Sequence, residues 1–180
     1  MLMTGQYPHE NGILTNCNTS SRKYGNYLEK EQTIISDVLS NNGYFCGYIG
    51  KWHLDAPKGP DVDDWRKAKW THYTPPARRH GFEFWHAYGC KDQHMNPYYW
   101  VGNASREDTT FVDKWSPVHE ADVAIDFIQG RNRDGDKPWA LFVSMNPPHP
   151  PYHAVPDRYR GRYDNMPMDS LLYRHNVPDG

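Results

Sequence analysis

Gly43-Tyr44-Phe45-Cys46-Gly47-Tyr48-Ile49-Gly50-Lys51-Trp52-His53 is the stretch from which the rest of the chain is read. Residues 44–49 are rich in aromatic and apolar side chains and read as a buried strand. Gly50 ends it, and the chain passes at once into ionisable side chains. Just upstream, residues 33–42 read as a helix: Thr33 is a plausible N-cap, and Ile34, Ile35, Val38 and Leu39 recur at helical spacing. Asn42-Gly43 supplies the stop, since Gly tolerates the left-handed conformation.

The same order recurs further on. Residues 118–129 read as a second helix, with Val118, Ala121, Ala124, Ile125 and Ile128 on one face. A polar turn is expected over 130–137, and then a second buried strand over 139–145. Asn146-Pro147-Pro148-His149-Pro150-Pro151 stops that strand with a stiff loop. Residues 57–117 between the two units read as a long loop-rich excursion with one short hairpin, and 156–180 as irregular. At the N-terminus, residues 1–4 read as a helix tail stopped by Gly5, and 7–12 as a turn-rich loop. Two apolar strands, each preceded by a helix, predict an α/β fold with parallel neighbours in a sheet covered on both faces.

Composition narrows the function. The 180 residues suit one domain. They carry 20 Lys and Arg against 22 Asp and Glu, and this lack of a basic excess argues against nucleic acid as the partner. Hydrophobic residues make up only 37%, but 14% aromatics argue against disorder. No apolar run is long enough for a membrane span. Residues 1–5 show no signal-peptide pattern. Three cysteines without CxxC spacing leave at least one thiol unpaired within the chain and do not indicate a compartment.

In open α/β sheets, ligands gather beyond the carboxyl ends of the strands. The first strand runs into Lys51 and His53, the second into His149. In an extended segment, Lys51 and His53 point to one side while Trp52 turns the other way, into the core. Lys offers a compact positive charge with three donors, and His gives or takes a proton near neutral pH. Together they suit a tetrahedral anion and a leaving group that needs a proton. On spacing alone, surface decoration and a loop histidine bonded to a carbonyl are the competing readings.

At these residues the sequence resembles the type I sulfatases of the alkaline phosphatase superfamily. Three stretches carry the likeness: Met3-Thr4-Gly5-Gln6-Tyr7-Pro8-His9-Glu10-Asn11-Gly12, then Gly43-Tyr44 with Gly50-Lys51-Trp52-His53-Leu54, then residues 137–144 with Asn146-Pro147-Pro148-His149-Pro150. Gly81-Phe82-Glu83-Phe84-Trp85 and Asn176-Val177-Pro178 add to it. The resemblance implies a partial parallel-sheet sandwich of the alkaline phosphatase-like type with a long loop-rich insertion. It implies a sulfuric ester hydrolase using a formylglycine nucleophile and calcium. Lys51 would contact sulfate oxygens, His53 would serve the nucleophile or the sulfated intermediate, and His149 would bind sulfate or protonate the leaving oxygen. The division of labour between the two histidines stays open.

The family's nucleophile motif and acidic metal ligands have no counterpart in these 180 residues. Cys17 does not fit the nucleophile, because Asn18-Thr19-Ser20-Ser21-Arg22 lacks the proline and follows the signature. Residues 1–180 are therefore expected to be an internal part of a catalytic domain, inactive and poorly folded in isolation, with calcium ligands and formylglycine outside the chain. Members of the family are commonly periplasmic, secreted or lysosomal.

Other features are weighed alongside. Asp61-Val62-Asp63-Asp64 reads as a solvated acidic turn, and the ten histidines lack zinc-ligand spacing. Arg78-Arg79-His80 reads as a surface cluster able to meet an anionic substrate. Trp65, Trp70, Tyr73, Trp85, Tyr98, Tyr99 and Trp100 are either local core or platforms for sugar faces. The preferred substrate is a sulfated carbohydrate or small molecule. A phosphodiesterase or phosphonate monoester hydrolase of the same superfamily and a noncatalytic glycan-binding module are the alternatives.

Overall fold

The computed structural model describes residues 1–57, 63–134 and 137–171. Five strands form one sheet: β1 (Phe45–Lys51), β2 (Phe82–Tyr88), β3 (Tyr98–Val101), β4 (Thr110–Phe111) and β5 (Trp139–Ser144). Their spatial order is β4-β3-β2-β1-β5. The two strands expected from the sequence, β1 and β5, lie side by side and parallel, with Tyr48 opposite Phe142 and Gly50 opposite Ser144.

The excursion holds more order than its composition suggests. It contributes β2, which pairs parallel with β1 on the side away from β5. It then turns back through β3 and β4, both antiparallel to their neighbours. The β1–β2 register slips between Cys46 and Gly47, which sets Phe82 and Trp85 on a common face with Tyr48.

The α-helices are α1 (Pro8–Asn11), α2 (Ile35–Asn41), α3 (Ser116–Asp134), α4 (Asp157–Arg160) and α5 (Met168–Leu171), with short 3-10 turns at Arg22–Tyr24, Trp65–Lys67 and Pro76–Arg78. Residues 8–11 are thus a helical turn inside the loop expected there. Helix α2 is capped at Ile34, one residue after Thr33, because the Asp37 carboxylate accepts the Ile34 N–H at 2.9 Å. Helix α3 runs on to Asp134, through the first half of the expected polar turn. Among its described side chains Ser116, Glu120 and Phe127 are buried, whereas Ile125 and Ile128 are exposed. Phe127 sets that rotation by packing on Phe45, Phe84 and Trp139. Gly47 makes room for it: a Cβ there would sit 2.8 Å from the Phe127 ring.

The opposite face of the sheet carries the main core, built from Leu28, Ile34, Cys46, Tyr48, Trp52, Phe82, Trp85 and Ala87. Trp52 is buried against Tyr48, as its alternation with Lys51 and His53 requires. Of the aromatic cluster, Trp85, Tyr99 and Trp100 are buried, and Tyr73 and Tyr98 pack half-buried against the last two, so these five are structural. No helix among the described residues is long and apolar enough to cross a membrane.

Candidate active site

Lys51 is the last residue of β1, and the loops after β2 and β5 close on it from either side. Its ammonium donates to Asp92 Oδ1 at 3.2 Å and to Asn146 Oδ1 at 3.0 Å. Asn146 also donates through Nδ2 to Asp92 Oδ1 and to the Lys91 carbonyl, each at 3.1 Å, and the same nitrogen stands 3.1 Å from His94 Nε2. Lysine cannot accept a hydrogen bond, so it fixes which end of the Asn146 amide is the oxygen. The amide ties three chain segments together at the sheet edge. Burial alone would raise the Asp92 pKa; the hydrogen bond from Asn146 and the Lys51 charge outweigh it and hold the carboxyl below its ordinary range.

Three segments present their ionisable groups to one cavity of about 520 Å³, which Lys51, His53, Asp92 and His149 line together with Asn16, Trp70, Cys90 and Lys91. Lys51, His53 and His149 therefore meet, as their positions after two parallel strands predict. His53 takes a left-handed backbone, φ 46°, which re-aims its ring as the chain leaves the strand. Its Nε2 lies 3.1 Å from the Cys17 carbonyl and donates to it, which leaves Nδ1 with the lone pair. Burial, reinforced by the Lys51 charge, lowers the His53 pKa. The imidazole is accordingly neutral at pH 7.

His149 is half-exposed. Its Nδ1 donates to the Pro150 carbonyl at 2.9 Å and stands 3.3 Å from Asp92 Oδ1. Nε2 is left without either contact. Lys51 and His53 also line a second opening of about 380 Å³ against Leu2, Met3, Phe142 and Ser144.

Cys17 lies at the edge of this site but offers it only a backbone carbonyl. The side chain is buried, and burial pushes the thiol pKa up to about 12, the opposite of what a reactive cysteine needs. All three cysteines are free thiols. Among the described residues no group of three or more His, Cys, Asp or Glu is placed to hold a metal ion. The acidic run contributes ion pairs instead, Asp63 with Lys23 and Asp64 with Arg66, while Asp61 and Val62 lie outside the described residues, as does 176–178. The groups described here do not make a calcium cage; with an ammonium at its centre, the site suits an anion.

Two residues central to this geometry carried no assigned role in the sequence. Asn146 sits in the quoted proline loop, at the carboxyl end of β5, where the strand-end rule would have placed it. Asp92 follows β2, a strand whose pattern was not legible, so the rule had nothing to act on. The Arg78-Arg79-His80 cluster is a correction. Arg79 and His80 are buried, Arg79 donating to the Thr74 carbonyl at 3.1 Å and His80 meeting Asp37 at 3.1 Å. Arg78 lines a cavity.

A lysine, two histidines and a buried amide thus gather at the carboxyl edge of parallel strands in an α/β fold. The chain belongs to the sulfatase family, whose sequence model matches residues 1–170. It is 39% identical over 188 aligned positions to an endo-4-O-sulfatase of Bacteroides thetaiotaomicron, covering 98% of this chain and 36% of that protein. An ulvan-active sulfatase of Formosa agariphila is 30% identical, with 98% and 30% covered. Among solved structures, yidJ of Bacteroides fragilis, a protein assigned to the sulfatases, superimposes with a TM-score of 0.88 at 44% identity, covering 99% of this chain and 39% of that one. The chain thus spans about a third of the length of the relatives it matches.

Proposed function

We propose that this chain forms the sulfate-binding and proton-handling edge of an enzyme that hydrolyses sulfuric esters of a carbohydrate. The observation that carries this reading is the meeting of Lys51, His53 and His149 in one cavity. Lys51 has three N–H donors: two go to Asp92 and Asn146, and the third meets the Cys90 sulfur, a weak acceptor that a sulfate oxygen would displace. Asp92 and Asn146 hold the ammonium still, which preorganises the positive pole before substrate arrives. His53, neutral with its lone pair on Nδ1, fits the role of base toward a hydroxyl at sulfur. His149, with Nδ1 engaged by Pro150, keeps Nε2 for the departing oxygen. A nucleophile that the described residues do not supply bonds to sulfur as the S–O ester bond breaks; the electron pair of that bond stays on the sugar oxygen, which takes the Nε2 proton of His149 in its imidazolium form and leaves the ring neutral with its proton on Nδ1.

Formylglycine and calcium are implied by the family for the whole enzyme; neither fits the residues described. Sulfated carbohydrate is preferred because the relatives carry the names endo-4-O-sulfatase and ulvan-active sulfatase.

The test is steady-state hydrolysis by the full-length protein. Lys51→Ala should lower kcat/KM for a sulfate ester by about 10²–10³, as loss of an oxyanion donor does. His149→Ala should slow a sugar sulfate more than 4-nitrophenyl sulfate, whose leaving group needs no proton. Unchanged turnover in Lys51→Ala, or a preference for phosphonate monoesters over sulfates, would overturn the reading.

A further inference from the structure

His94 is buried behind the cavity that Lys51 lines and is not part of its wall. The proposed chemistry leaves it without a role, yet its ring meets the amide that steadies the ammonium. Four groups surround that amide. Lys51 donates to Asn146 Oδ1 at 3.0 Å, while the Lys91 carbonyl, Asp92 Oδ1 and His94 Nε2 each stand 3.1 Å from Nδ2. An ammonium can only donate, and a carbonyl and a carboxylate can only accept. Of the four, His94 alone can offer either a lone pair or an N–H.

The proton inventory selects the lone pair. With an N–H on Nε2, two donors would face each other across 3.1 Å. Turning the amide over would not relieve this. Oδ1 would then face the Lys91 carbonyl and the Asp92 carboxylate, and Nδ2 would face the Lys51 ammonium. His94 is therefore the neutral tautomer with its proton on Nδ1. Burial lowers its pKa, with His149 and Lys51 reinforcing that and Asp92 opposing it, so the neutral form prevails at pH 7. The ring is also anchored. The His94 carbonyl accepts the Ser116 N–H at 2.8 Å, and the Asn96 N–H donates to the Lys114 carbonyl at 3.1 Å, which clamps this loop to the start of α3.

We propose that His94 is a positioning residue for sulfate binding: its Nε2 lone pair holds the Asn146 amide with Oδ1 toward Lys51, and the amide in turn aims the ammonium into the cavity. The inference rests on the sulfatase reading and deepens it by adding a residue that acts on the anion through two others. A proton on Nε2 would undo the arrangement from behind, without any change in the groups that face the anion.

The experiment uses the full-length protein, with inorganic sulfate as the calorimetric probe, 4-nitrophenyl sulfate for turnover, and nitrogen NMR of histidine-labelled samples. The wild-type His94 signals, identified by their loss in His94→Gln, should show a proton on Nδ1 and none on Nε2 at pH 7. His94→Ala should weaken sulfate binding about five- to tenfold, the loss of one hydrogen bond. His94→Gln, whose Oε1 accepts where Nε2 stood, should recover most of that. In an Asn146→Ala background, His94→Ala should change the affinity by less than about twofold, because the group it acts through is gone. A proton on Nε2 in the wild type, a His94→Gln variant no better than His94→Ala, or equal losses in both backgrounds would each overturn the inference. The NMR measurement needs no destabilised variant. Failure of the sulfatase reading looks different: the wild type would neither bind sulfate nor hydrolyse 4-nitrophenyl sulfate, while the His94 tautomer stayed as described.

Discussion

Strands β2 and β5 flank β1 in the same parallel sense, yet they live in different surroundings. Phe82, Trp85, His86, Ala87 and Tyr88 of β2 are buried; β5 has no fully buried residue, and Val143 is exposed. Strand β2 has β3 on its far side, with the Tyr99–Glu120 and His86–His119 contacts bracing it against α3. Strand β5 has no partner on its far side among the described residues. The site straddles this difference. Lys51 is held by Asp92, itself exposed, from the closed flank and by the buried Asn146 from the open one, so the ammonium couples the two flanks.

The largest expected effect lies on the β1–β5 seam. Gly50 adopts φ +99°, and a Cβ there would sit 2.2 Å from the Ser144 carbonyl oxygen. Gly50→Val should cost about 3–5 kcal/mol from strain and lost pairing, read by urea unfolding. A variant as stable as wild type would mean the two strands do not meet in this register.

Acid should act next, and on the closed flank. His86 is pushed down to about 4, by burial first and then by the neighbouring His119. The fold accommodates its neutral form, so its contribution is complete above the ordinary value near 6.5. Lost as pH falls through about 4, that contribution amounts to roughly 3 kcal/mol. Glu120 has the opposite sign. Burial raises it to about 7 despite the bond from Tyr99, so its share is complete below about 4.5 and is lost as pH rises through 7. Glu120→Gln should therefore be more favourable to stability at pH 8 than at pH 5. Identical stability changes at both values, by denaturant titration, would remove Glu120 from this account.

Asn146→Ala tests how the flanks are joined. It removes the shared contact of Lys51, Asp92 and His94, and should cost about 2 kcal/mol with roughly tenfold weaker sulfate binding. Normal sulfate affinity in this variant would show that the closed flank positions Lys51 alone. The smallest effect compares paired side chains on β1 and β5. Ile49→Val, at a fully buried site, should cost about 1 kcal/mol, whereas Val143→Thr, its exposed neighbour in register, should stay within about 0.5 kcal/mol. Equal costs would mean that something covers β5.

The same contrast explains what could be read from sequence. Strands β1 and β5 are uninterrupted apolar runs, and the residues that follow them, Lys51, His53 and His149, were legible as a site for that reason. Strand β2 has Glu83 and His86 set into its apolar run. Glu83 points to solvent near Lys137, and His86 finds a partner in His119, pairings that only the tertiary structure supplies. With β2 unseen, Asp92 and His94 belonged to no strand end. The stripe of α3 was misplaced for a related reason: spacing favoured Ile125 and Ile128, but the hole above Gly47 admits Phe127. Arg22 and Arg106 are 84 positions apart, and nothing local announces that they share a cavity.

The hydrogen bond that sets the His53 tautomer ends on a main-chain carbonyl, at Cys17. Replacing the thiol by a group that fits the same buried space leaves that acceptor in place, so the ring keeps its proton where it is. Control passes instead to whatever steers the loop. Asn26 does so from outside the cavity, accepting from the Leu14 and Thr15 amides and donating to the Thr15 carbonyl. A mutation there would mistune the imidazole without touching it.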